Sequence, residues 1–362
     1  MKQVWMIITV ALLASFAGAQ AQQLKVVDSD GQPIPYVCVT NERGVLVGTT
    51  DENGLVVNSK NEKNLSLSHV AFKAKNVNPD TLANGVIVLD DVDFMLDEVT
   101  VKPKELLYVQ TYFRLIYFDD EGPLYYRGGV VDNTYDIAKK KVSSKKRTVA
   151  KGANGLLRFF ISTLAGGYID KMGSIEEKSL YDRILARVEK DILFLSDEEM
   201  GRRAISDTIC TLGYVETDTT ARLRTTYFNR WAYRDHIKAA ELRAKGKENK
   251  IKERREGTVE SFCEVFNIDE SGNSGVSDFV MRQMLVGDKH SHSDGEYVIM
   301  MQTYTTERNY IDKKEFKQVR KENEVEMKIQ ELRNFEKAHN IPPLPDKVQA
   351  AVDELFKKEL SK

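Results

Sequence analysis

Short apolar runs separated by turn residues fill residues 24–102, and this pattern constrains the fold more than any other feature. Val37 and Val39 recur at the period of two expected for a half-buried strand. The pair Asn53-Gly54 is typical of a hairpin turn, because both residue types tolerate positive φ. The runs predict strands at 26–27, 37–39, 45–49, 55–57, 65–70, 86–89 and 99–101. Short strands at this spacing indicate an all-β sandwich over residues 22–104.

Several segments of this region resemble the carboxypeptidase-regulatory-like domain family, and they occur in the same order. They are VDSDGQPIPYVCV at 27–39, GTTDENG at 48–54, LSLSHVAF at 65–72, and LD at 89–90 followed by LDEVTV at 96–101. Members of that family are transthyretin-like, immunoglobulin-like sandwiches at the start of TonB-dependent receptors and other envelope proteins of Gram-negative bacteria. The resemblance implies a non-catalytic accessory domain and no peptidase activity.

The resemblance also indicates what the rest of the chain is not. A TonB-dependent receptor would continue into a plug and a long barrel of alternating strands. The remaining residues are too few and too charged for that continuation. We therefore expect a stand-alone envelope protein with a second, α+β region that carries its specific function.

The first residues predict export. Lys2 precedes an apolar run at 4–13, and small residues follow as Ala17-Gly18-Ala19 or Ala19-Gln20-Ala21. This order is typical of a cleaved signal peptide, here residues 1–21. An uncleaved anchor is the alternative, but the apolar run is shorter than the ~20 residues that a spanning helix needs. We expect a location in the periplasm or cell envelope, with peripheral association with the outer membrane left open.

The second region, 105–306, combines predicted antiparallel strands with one helix. Residues 109–118 and 124–132 read as a long hairpin around a turn at 119–123. A further strand is predicted at 221–227, where Arg222, Arg224 and Thr226 form one polar face. Another strand is predicted at 297–304, and a second hairpin at 260–268 and 276–285. Ser174 and Glu177 form a capping-box pattern that predicts a helix start, with Leu180, Ile184, Val188 and Leu195 along one face.

The last region, 307–362, is predicted to form charged amphipathic helices. Asp312 can cap the first, and Val325, Ile329, Leu332 and Phe335 lie along one stripe. The prolines at 342, 343 and 345 end that helix, and a second one begins at 346. Packing on the chain's own domain is the favoured interpretation, and an arm that binds a partner is the alternative.

Charge excludes one class of partner and marks one tract. With 53 basic and 55 acidic residues the formal net charge is −2, which argues against a dedicated nucleic-acid binder. Residues 139–151 are nevertheless strongly basic. A solvated loop or strand face explains them best, and contact with anionic lipid or polysaccharide remains the alternative. Residues 239–256 are almost all charged, which favours an exposed helix or a mobile insertion.

Motifs for catalysis are missing from the sequence. The zinc-protease, nucleophile-elbow, phosphate-loop and Cys-x-x-Cys patterns do not occur, and no cofactor is expected. His290 and His292 are two residues apart in a polar loop, so in a strand they would face one side and could share a zinc or copper ion. An exposed turn is the simpler interpretation of that loop. Cys210 and Cys263 could pair in an oxidising compartment, or both could remain free thiols.

An aromatic cluster offers a further candidate surface. Its members surround the first predicted hairpin: Tyr112, Phe113, Tyr117, Phe118, Tyr125 and Tyr126. Aromatic faces stack on sugar rings, so the cluster could bind a glycan. Packing of the same rings across strands in the core explains it more simply.

Two functions follow from these observations. The first is a non-catalytic exported envelope protein whose sandwich is a docking module and whose second region binds an envelope protein or a polysaccharide. The alternative is an envelope hydrolase with an unrecognised site in the second region. A pocket with converging carboxylates, or with His236 or His290, would favour the hydrolase, and a flat surface would favour the binder.

Overall fold

The computed structural model describes residues 22–59, 61–92, 105–119, 122–153, 172–199, 201–207, 211–217, 222–228, 242–243, 245–247, 249, 259–268, 275–289, 296–321 and 327–360. The described part of the protein is mostly β, with 51% of the described residues in strands, antiparallel sheets and a few helices near the C-terminus. This confirms the predicted combination of antiparallel strands with helices near the C-terminus. Within these ranges, no helix combines the length and the apolar character needed to cross a membrane. The predicted signal peptide lies outside the described residues.

Residues 22–92 form two small sheets, and we call them the N-terminal unit. The strands are β1 (Gln22–Val27), β2 (Cys38–Asn41), β3 (Leu46–Thr49), β4 (Leu55–Asn58), β5 (Leu65–His69), β6 (Phe72–Val77) and β7 (Val86–Val88). One sheet has the order β4-β1-β7 and the other has the order β3-β2-β5-β6. The pairs are antiparallel except β1 with β7. Two 3₁₀ turns, Pro79–Thr81 and Ala83–Gly85, precede β7.

Both small sheets contribute to one apolar core. Leu24 and Val26 of β1 and Val39 and Leu67 of the other sheet are completely buried. The Asn53-Gly54 turn is fixed by the Asp51 carboxylate, which accepts backbone hydrogen bonds on both sides of it. Gly54 has φ +71°, and a Cβ there would lie 2.4 Å from the Val26 carbonyl oxygen, so a side chain is excluded.

The predicted strands of the N-terminal unit agree with the structure wherever they can be compared. Each of the six predicted runs between 26 and 89 overlaps an observed strand, and the run at 99–101 lies outside the described residues. The sequence missed β6. Four consecutive residues of β6, at 73–76, are exposed, so it lacks the apolar alternation that marks a half-buried strand.

The second region forms one ten-stranded antiparallel sheet, the large sheet. Its strands are β8 (Leu106–Asp119), β9 (Gly122–Asp136), β10 (Lys141–Ala153), β11 (Phe194–Leu195), β12 (Arg202–Ser206), β13 (Thr211–Thr217), β14 (Arg222–Phe228), β15 (Val259–Asn267), β16 (Phe279–Lys289) and β17 (Glu296–Ile311). They are arranged in the order β10-β9-β8-β17-β16-β15-β14-β13-β12-β11. Both predicted hairpins, β8–β9 and β15–β16, are confirmed.

Each face of the large sheet is covered, and we name the faces by what covers them. Face A carries Tyr112, Tyr126 and Tyr304 and shares one hydrophobic core with the N-terminal unit and the C-terminal helices. Face B carries Phe113 and Phe262 and packs against the helix that precedes β11. The helices are α1 (Leu180–Val188), α2 (Lys313–Lys321), α3 (Ile329–Ala338), α4 (Asp346–Leu355) and α5 (Lys357–Leu360). A 3₁₀ turn at Val276–Asp278 precedes β16.

Helix α1 begins later than the sequence predicted. Its cap is Ser179, which forms a capping box with Asp182, so the predicted start at Ser174 is wrong. The Ser174 carbonyl oxygen instead accepts a hydrogen bond from Arg282 of β16 at 3.2 Å. The backbone N–H of Ile175 donates to the Asn133 side-chain oxygen of β9. These contacts with the sheet hold residues 174–175 outside the helix. Leu195, predicted on the helix face, lies in β11.

The C-terminal helices pack on face A as the favoured interpretation expected. Ile329 and Leu332 of α3 and Val348 and Val352 of α4 are buried in the shared core. The proline segment ends α3 at Ala338, and α4 begins at Asp346 as predicted. Strand β17 continues to Ile311, and the first of these helices starts two residues later. Val325 lies outside the described residues.

Candidate functional site

A small polar cleft lies where the N-terminal unit meets the large sheet. Its volume is about 120 Å³. The N-terminal unit contributes the turn after β1 and the segment after β7, and the large sheet contributes β12, β13 and β14. The lining residues are Asp28, Ser29, Asp30, Gln32, Asp91, Gly201, Arg202, Glu216, Thr217 and Arg224.

Strand register brings an arginine, a glutamate and a second arginine into one row. Arg202 of β12 lies directly opposite Glu216 of β13, which lies directly opposite Arg224 of β14. Residues directly opposite each other in a sheet place their side chains on the same face, which here is face A. We call this set the arginine–glutamate row. Its side chains are 11%, 15% and 8% exposed, so all three charges are largely removed from water.

The row also binds the N-terminal unit. Arg224 donates to the Asp91 carboxylate at 2.6 Å and to Glu216 at 3.4 Å. Arg202 donates to Glu216 and, at 3.1 Å, to the Pro33 carbonyl oxygen. Both arginines therefore connect the large sheet to loops of the N-terminal unit.

Electrostatics keeps Arg224 charged in this buried position. Burial alone would lower the pKa of its guanidinium, but the carboxylates of Glu216 and Asp91 outweigh burial and raise that pKa. The guanidinium also lies over the Phe72 ring, 4.5 Å from the centroid. A neighbouring arginine, Arg222, donates to the Val92 carbonyl oxygen at 3.1 Å and extends the attachment.

Asp28 is one of three acidic residues that line the cleft from the N-terminal unit, and its side chain fixes a turn. One carboxylate oxygen accepts backbone hydrogen bonds from Asp30 and Gln32, at 3.0 and 2.8 Å, and so fixes the turn after β1. Burial raises the pKa of this carboxyl, and the negative charge of Glu216 raises it further. Asp28 therefore holds a proton more readily than an exposed aspartate does.

His69 lies beside the cleft and is buried without charge. Its Nδ1 accepts the Ala71 backbone N–H at 3.2 Å, and its ring lies 5.3 Å from the Phe72 ring. Burial lowers the pKa of His69 to about 3, with a smaller contribution from the positive charge of Arg224. The imidazole is therefore neutral at physiological pH and acts as a hydrogen-bond acceptor.

The geometry defines what the cleft can do. Ligand pockets usually measure ~300–1,000 Å³, so a cleft of about 120 Å³ accommodates little more than a small polar group. Its two arginines are already paired with carboxylates of the protein. Removing one partner from such a buried pair typically costs about 3–5 kcal/mol. The cleft is therefore organised mainly as a junction between the two parts of the chain.

A second buried polar network lies further along face A. Arg114 donates to Gln302 at 2.6 Å, and Gln302 donates to Gln283 at 2.8 Å, so three adjacent strands are linked. The Tyr112 hydroxyl donates to the Glu336 carboxylate of α3. Burial and the nearby Glu336 charge raise the pKa of Tyr112, so its hydroxyl remains a donor. This network attaches α3 to the sheet.

Of the residues predicted for a metal site, a hydrolase pocket or a disulfide, only Cys263 is among the described residues. The other four, His236, His290, His292 and Cys210, lie outside them. Among the residues that the structure describes, no group of three or more His, Cys, Asp or Glu could hold a metal ion. Cys263 is a buried free thiol whose pKa burial raises to about 12, which makes it a poor nucleophile.

The aromatic cluster is a core feature. All six rings are at most 6% exposed. They alternate between the two cores: Tyr112, Phe118 and Tyr126 on face A, and Phe113, Tyr117 and Tyr125 on face B. The glycan-binding interpretation of these rings is therefore wrong, because their faces are not accessible to a sugar.

Sequence reasoning missed the arginine–glutamate row, although one signal for it was visible. Arg222 and Arg224 alternate with apolar Leu223 and Tyr227 neighbours along β14, which predicted a strand with one polar face. That polar face is buried beneath the N-terminal unit rather than solvated.

A scan against protein-family models found no match for this chain, and a search of curated proteins found none either.

Proposed function

We propose that this chain is an exported, non-catalytic envelope protein that binds a partner protein or polymer. In this proposal the N-terminal unit is a transthyretin-like β-sandwich that serves as a docking or spacing module. The signal-peptide pattern at 1–21 and the segments that resemble carboxypeptidase-regulatory-like domains support the location and the module type.

The arrangement of the N-terminal unit supports the sandwich. Its two sheets, of three and four strands, share one core that includes Leu24, Val39 and Leu67. Two turns within the resembling segments are fixed by aspartates, Asp28 and Asp51, which accept the backbone hydrogen bonds of their own turns. Rigid turns and a dry core suit a module that holds its position rather than one that changes shape.

The observation that carries the binding proposal is the arginine–glutamate row. It fastens the N-terminal unit to the large sheet with charges that are satisfied within the protein. An active site needs groups that are poised toward a substrate, whereas these groups are committed to each other. A fixed two-part scaffold whose junction charges are paired within the protein is better suited to presenting a surface than to enclosing a substrate.

The test is capture of a partner from the compartment in which the protein is expected. The full-length chain with a C-terminal tag would be expressed in a Gram-negative host, and its mature N-terminus would be read by mass spectrometry. Cleavage after residue 19 or 21 and recovery of a specific crosslinked partner from the periplasmic fraction would support the proposal. An uncleaved chain in the cytosol would end it.

An envelope hydrolase is the second candidate, and the pair of acids in the cleft favours it. Asp28 carries a raised pKa, and Glu216 contributes to that shift, which resembles the acid and base pairs of glycosidases. The engagement of Glu216 by two arginines opposes this assignment. Release of sugars or peptides from purified cell envelope, abolished by Asp28→Asn with unchanged folding, would establish the hydrolase and displace the binder.

A further inference from the structure

The basic tract predicted from the sequence lies on the outer edge of the large sheet. Strand β10 is the first in the sheet order, and within the described ranges no strand pairs with its outer side. The tract from 139 to 151 contains no acidic residue. Its basic residues are Lys139, Lys140, Lys141, Lys145, Lys146, Arg147 and Lys151. Because the whole chain has a net charge of −2, this strand is a strong local exception.

Only part of this charge is balanced by the neighbouring strand. Lys139 lies 3.1 Å from the Asp136 carboxylate, yet its side chain remains 74% exposed. Lys140, Lys141 and Lys151 are exposed as well. The other acid of β9 is Asp132, which lies directly opposite Lys145, is 2% exposed and accepts a hydrogen bond from the Tyr108 hydroxyl.

Edge lysines have a known protective role, but that role explains only part of this tract. Charged side chains on an edge strand, lysine above all, oppose the addition of a second sheet. Two of the four exposed lysines, Lys139 and Lys140, lie in the turn before β10 rather than on the strand, so protection of the edge does not account for them. Repulsion between like charges in the tract costs stability, so a bound anion would relieve it.

The shape of this charge indicates the kind of anion. From Lys141 to Lys151 the strand extends for about 33 Å at the usual rise per residue. The exposed lysines therefore lie towards the two ends of this rim, at 139–141 and at 151, rather than in one compact patch. Stable attachment to a membrane surface usually combines basic residues with several apolar side chains or a lipid anchor. Ile137, 43% exposed, is an isolated apolar side chain at the start of this rim.

We propose that the basic tract at the β10 edge, with Lys139 in the preceding turn and Lys141 and Lys151 on the strand, binds an acidic polysaccharide chain along its length. The inference rests on the proposed function and names the polymer that the binder takes. A protein strand is disfavoured because edge lysines oppose strand addition. A linear polyuronate presents carboxylates along a flexible chain that can follow the rim, and each exposed lysine supplies an ammonium partner.

The experiment measures binding of the full mature chain to polygalacturonate by biolayer interferometry, with neutral dextran as the uncharged polymer. The test variant is Lys139→Gln, Lys141→Gln and Lys151→Gln together, which leaves the positive-φ residue Lys140 unchanged. The matched control is Lys314→Gln, Lys317→Gln and Lys321→Gln on α2, which removes the same charge from exposed positions. We expect the edge variant to bind about tenfold more weakly at low salt and the control to bind like the parent.

Several outcomes would overturn the polysaccharide site. Equal weakening by both variants would show a general charge effect rather than a site. Tighter binding to vesicles containing anionic lipid than to polygalacturonate, lost in the edge variant, would assign the edge to a membrane. Capture of a periplasmic partner with no polyuronate binding would overturn this inference alone. Absence of both, with hydrolytic activity present, would overturn the proposed function as well.

Discussion

The N-terminal unit and the large sheet are both built mainly from antiparallel strands, but different interactions fix those strands. The strands of the N-terminal unit are three to six residues long, and its turns are fixed by aspartate side chains. The central strands of the large sheet are much longer, with fourteen residues in β8 and sixteen in β17. Local chemistry defines the first unit, and long-range pairing defines the second.

The difference is clearest in the burial of individual strands. In β4 the residues alternate between buried and more exposed positions, so one face packs on the core. In β8 every residue except the last is buried, because its two faces contribute to the hydrophobic cores on opposite sides of the large sheet. A strand covered on both faces loses its alternation, and any polar residue within it needs a partner inside the protein. The buried arginines and glutamines of the large sheet meet that need.

The comparison is tested most strongly at the arginine–glutamate row, where the two parts join. Glu216→Gln leaves Arg202 and Arg224 buried with less negative charge, and we expect a loss of about 3–5 kcal/mol in the free energy of unfolding. Urea denaturation would measure it. Replacing Arg202, Glu216 and Arg224 together by Met should cost less than Glu216→Gln alone, because no unpaired charge remains buried: Asp91, which loses Arg224, is 43% exposed and can be solvated. A larger loss in the triple variant would contradict the electrostatic explanation.

A core substitution tests whether the two parts unfold together. Leu67→Ala empties a fully buried position of the N-terminal unit, and we expect a loss of about 2–5 kcal/mol. Because the junction fastens the unit to the large sheet, amide hydrogen exchange should rise in both. Leu332→Ala, equally buried on α3, is the matched change on the other side of the shared core. Faster exchange confined to residues 22–92 in the Leu67 variant would show that the parts are independent.

The pH dependence of stability tests the junction through His69, which belongs to the N-terminal unit and lies beside the large sheet. Its pKa is about 3 in the folded protein and near 6.5 when unfolded, so the unfolded chain binds more protons between these values. The contribution of neutral, buried His69 to the free energy of unfolding is therefore fully present above about pH 6.5. It is lost as the pH falls toward 3. His69→Asn keeps an acceptor for Ala71 but does not titrate. We expect its stability to decrease by about 2 kcal/mol less than that of the parent between pH 6 and 4, and parallel curves would contradict this assignment.

The smallest expected effect concerns the start of α1, which the sequence placed at Ser174 and the structure places after Ser179. Ser179→Ala removes the side chain that caps α1, and we expect a loss of about 1 kcal/mol in thermal or urea unfolding. Ser174→Ala is the matched control, expected to change stability by less than about 0.5 kcal/mol because Ser174 contributes its carbonyl oxygen. Equal losses would mean that the capping box is not the source of the effect.

Much of the fold was predictable because it depends on neighbours in sequence. The hairpin of β8 and β9 follows from two long runs around a short turn, and the end of α3 follows from prolines. The start of α1 was not predictable, because contacts from Arg282 and Asn133 on the sheet decide where the helix begins. Strand β6 was missed because its exposed residues carry no apolar period.

The candidate site was less predictable than the fold. Arg222 and Arg224 predicted a polar strand face, but the sequence does not indicate that Arg222 binds the Val92 carbonyl oxygen or that Arg224 pairs with Asp91 and Glu216. The partners of Arg224 are 133 and 8 residues away, and the first reaches it from the N-terminal unit. Pairing across such a separation depends on how the two parts dock.

The amino-acid sequence by itself determined the short strands and turns of the N-terminal unit, the long hairpins and the position of the basic tract. Each of these follows from side-chain periodicity, from residues that tolerate particular backbone angles or from charge. Only the tertiary structure decided that an aromatic cluster is core, that a polar strand face is buried as an ion-paired junction, and that the basic tract is a sheet edge. Those outcomes depend on which surfaces meet in the folded chain. A polar or charged residue that becomes buried needs a partner inside the protein, and that partner can be distant in sequence.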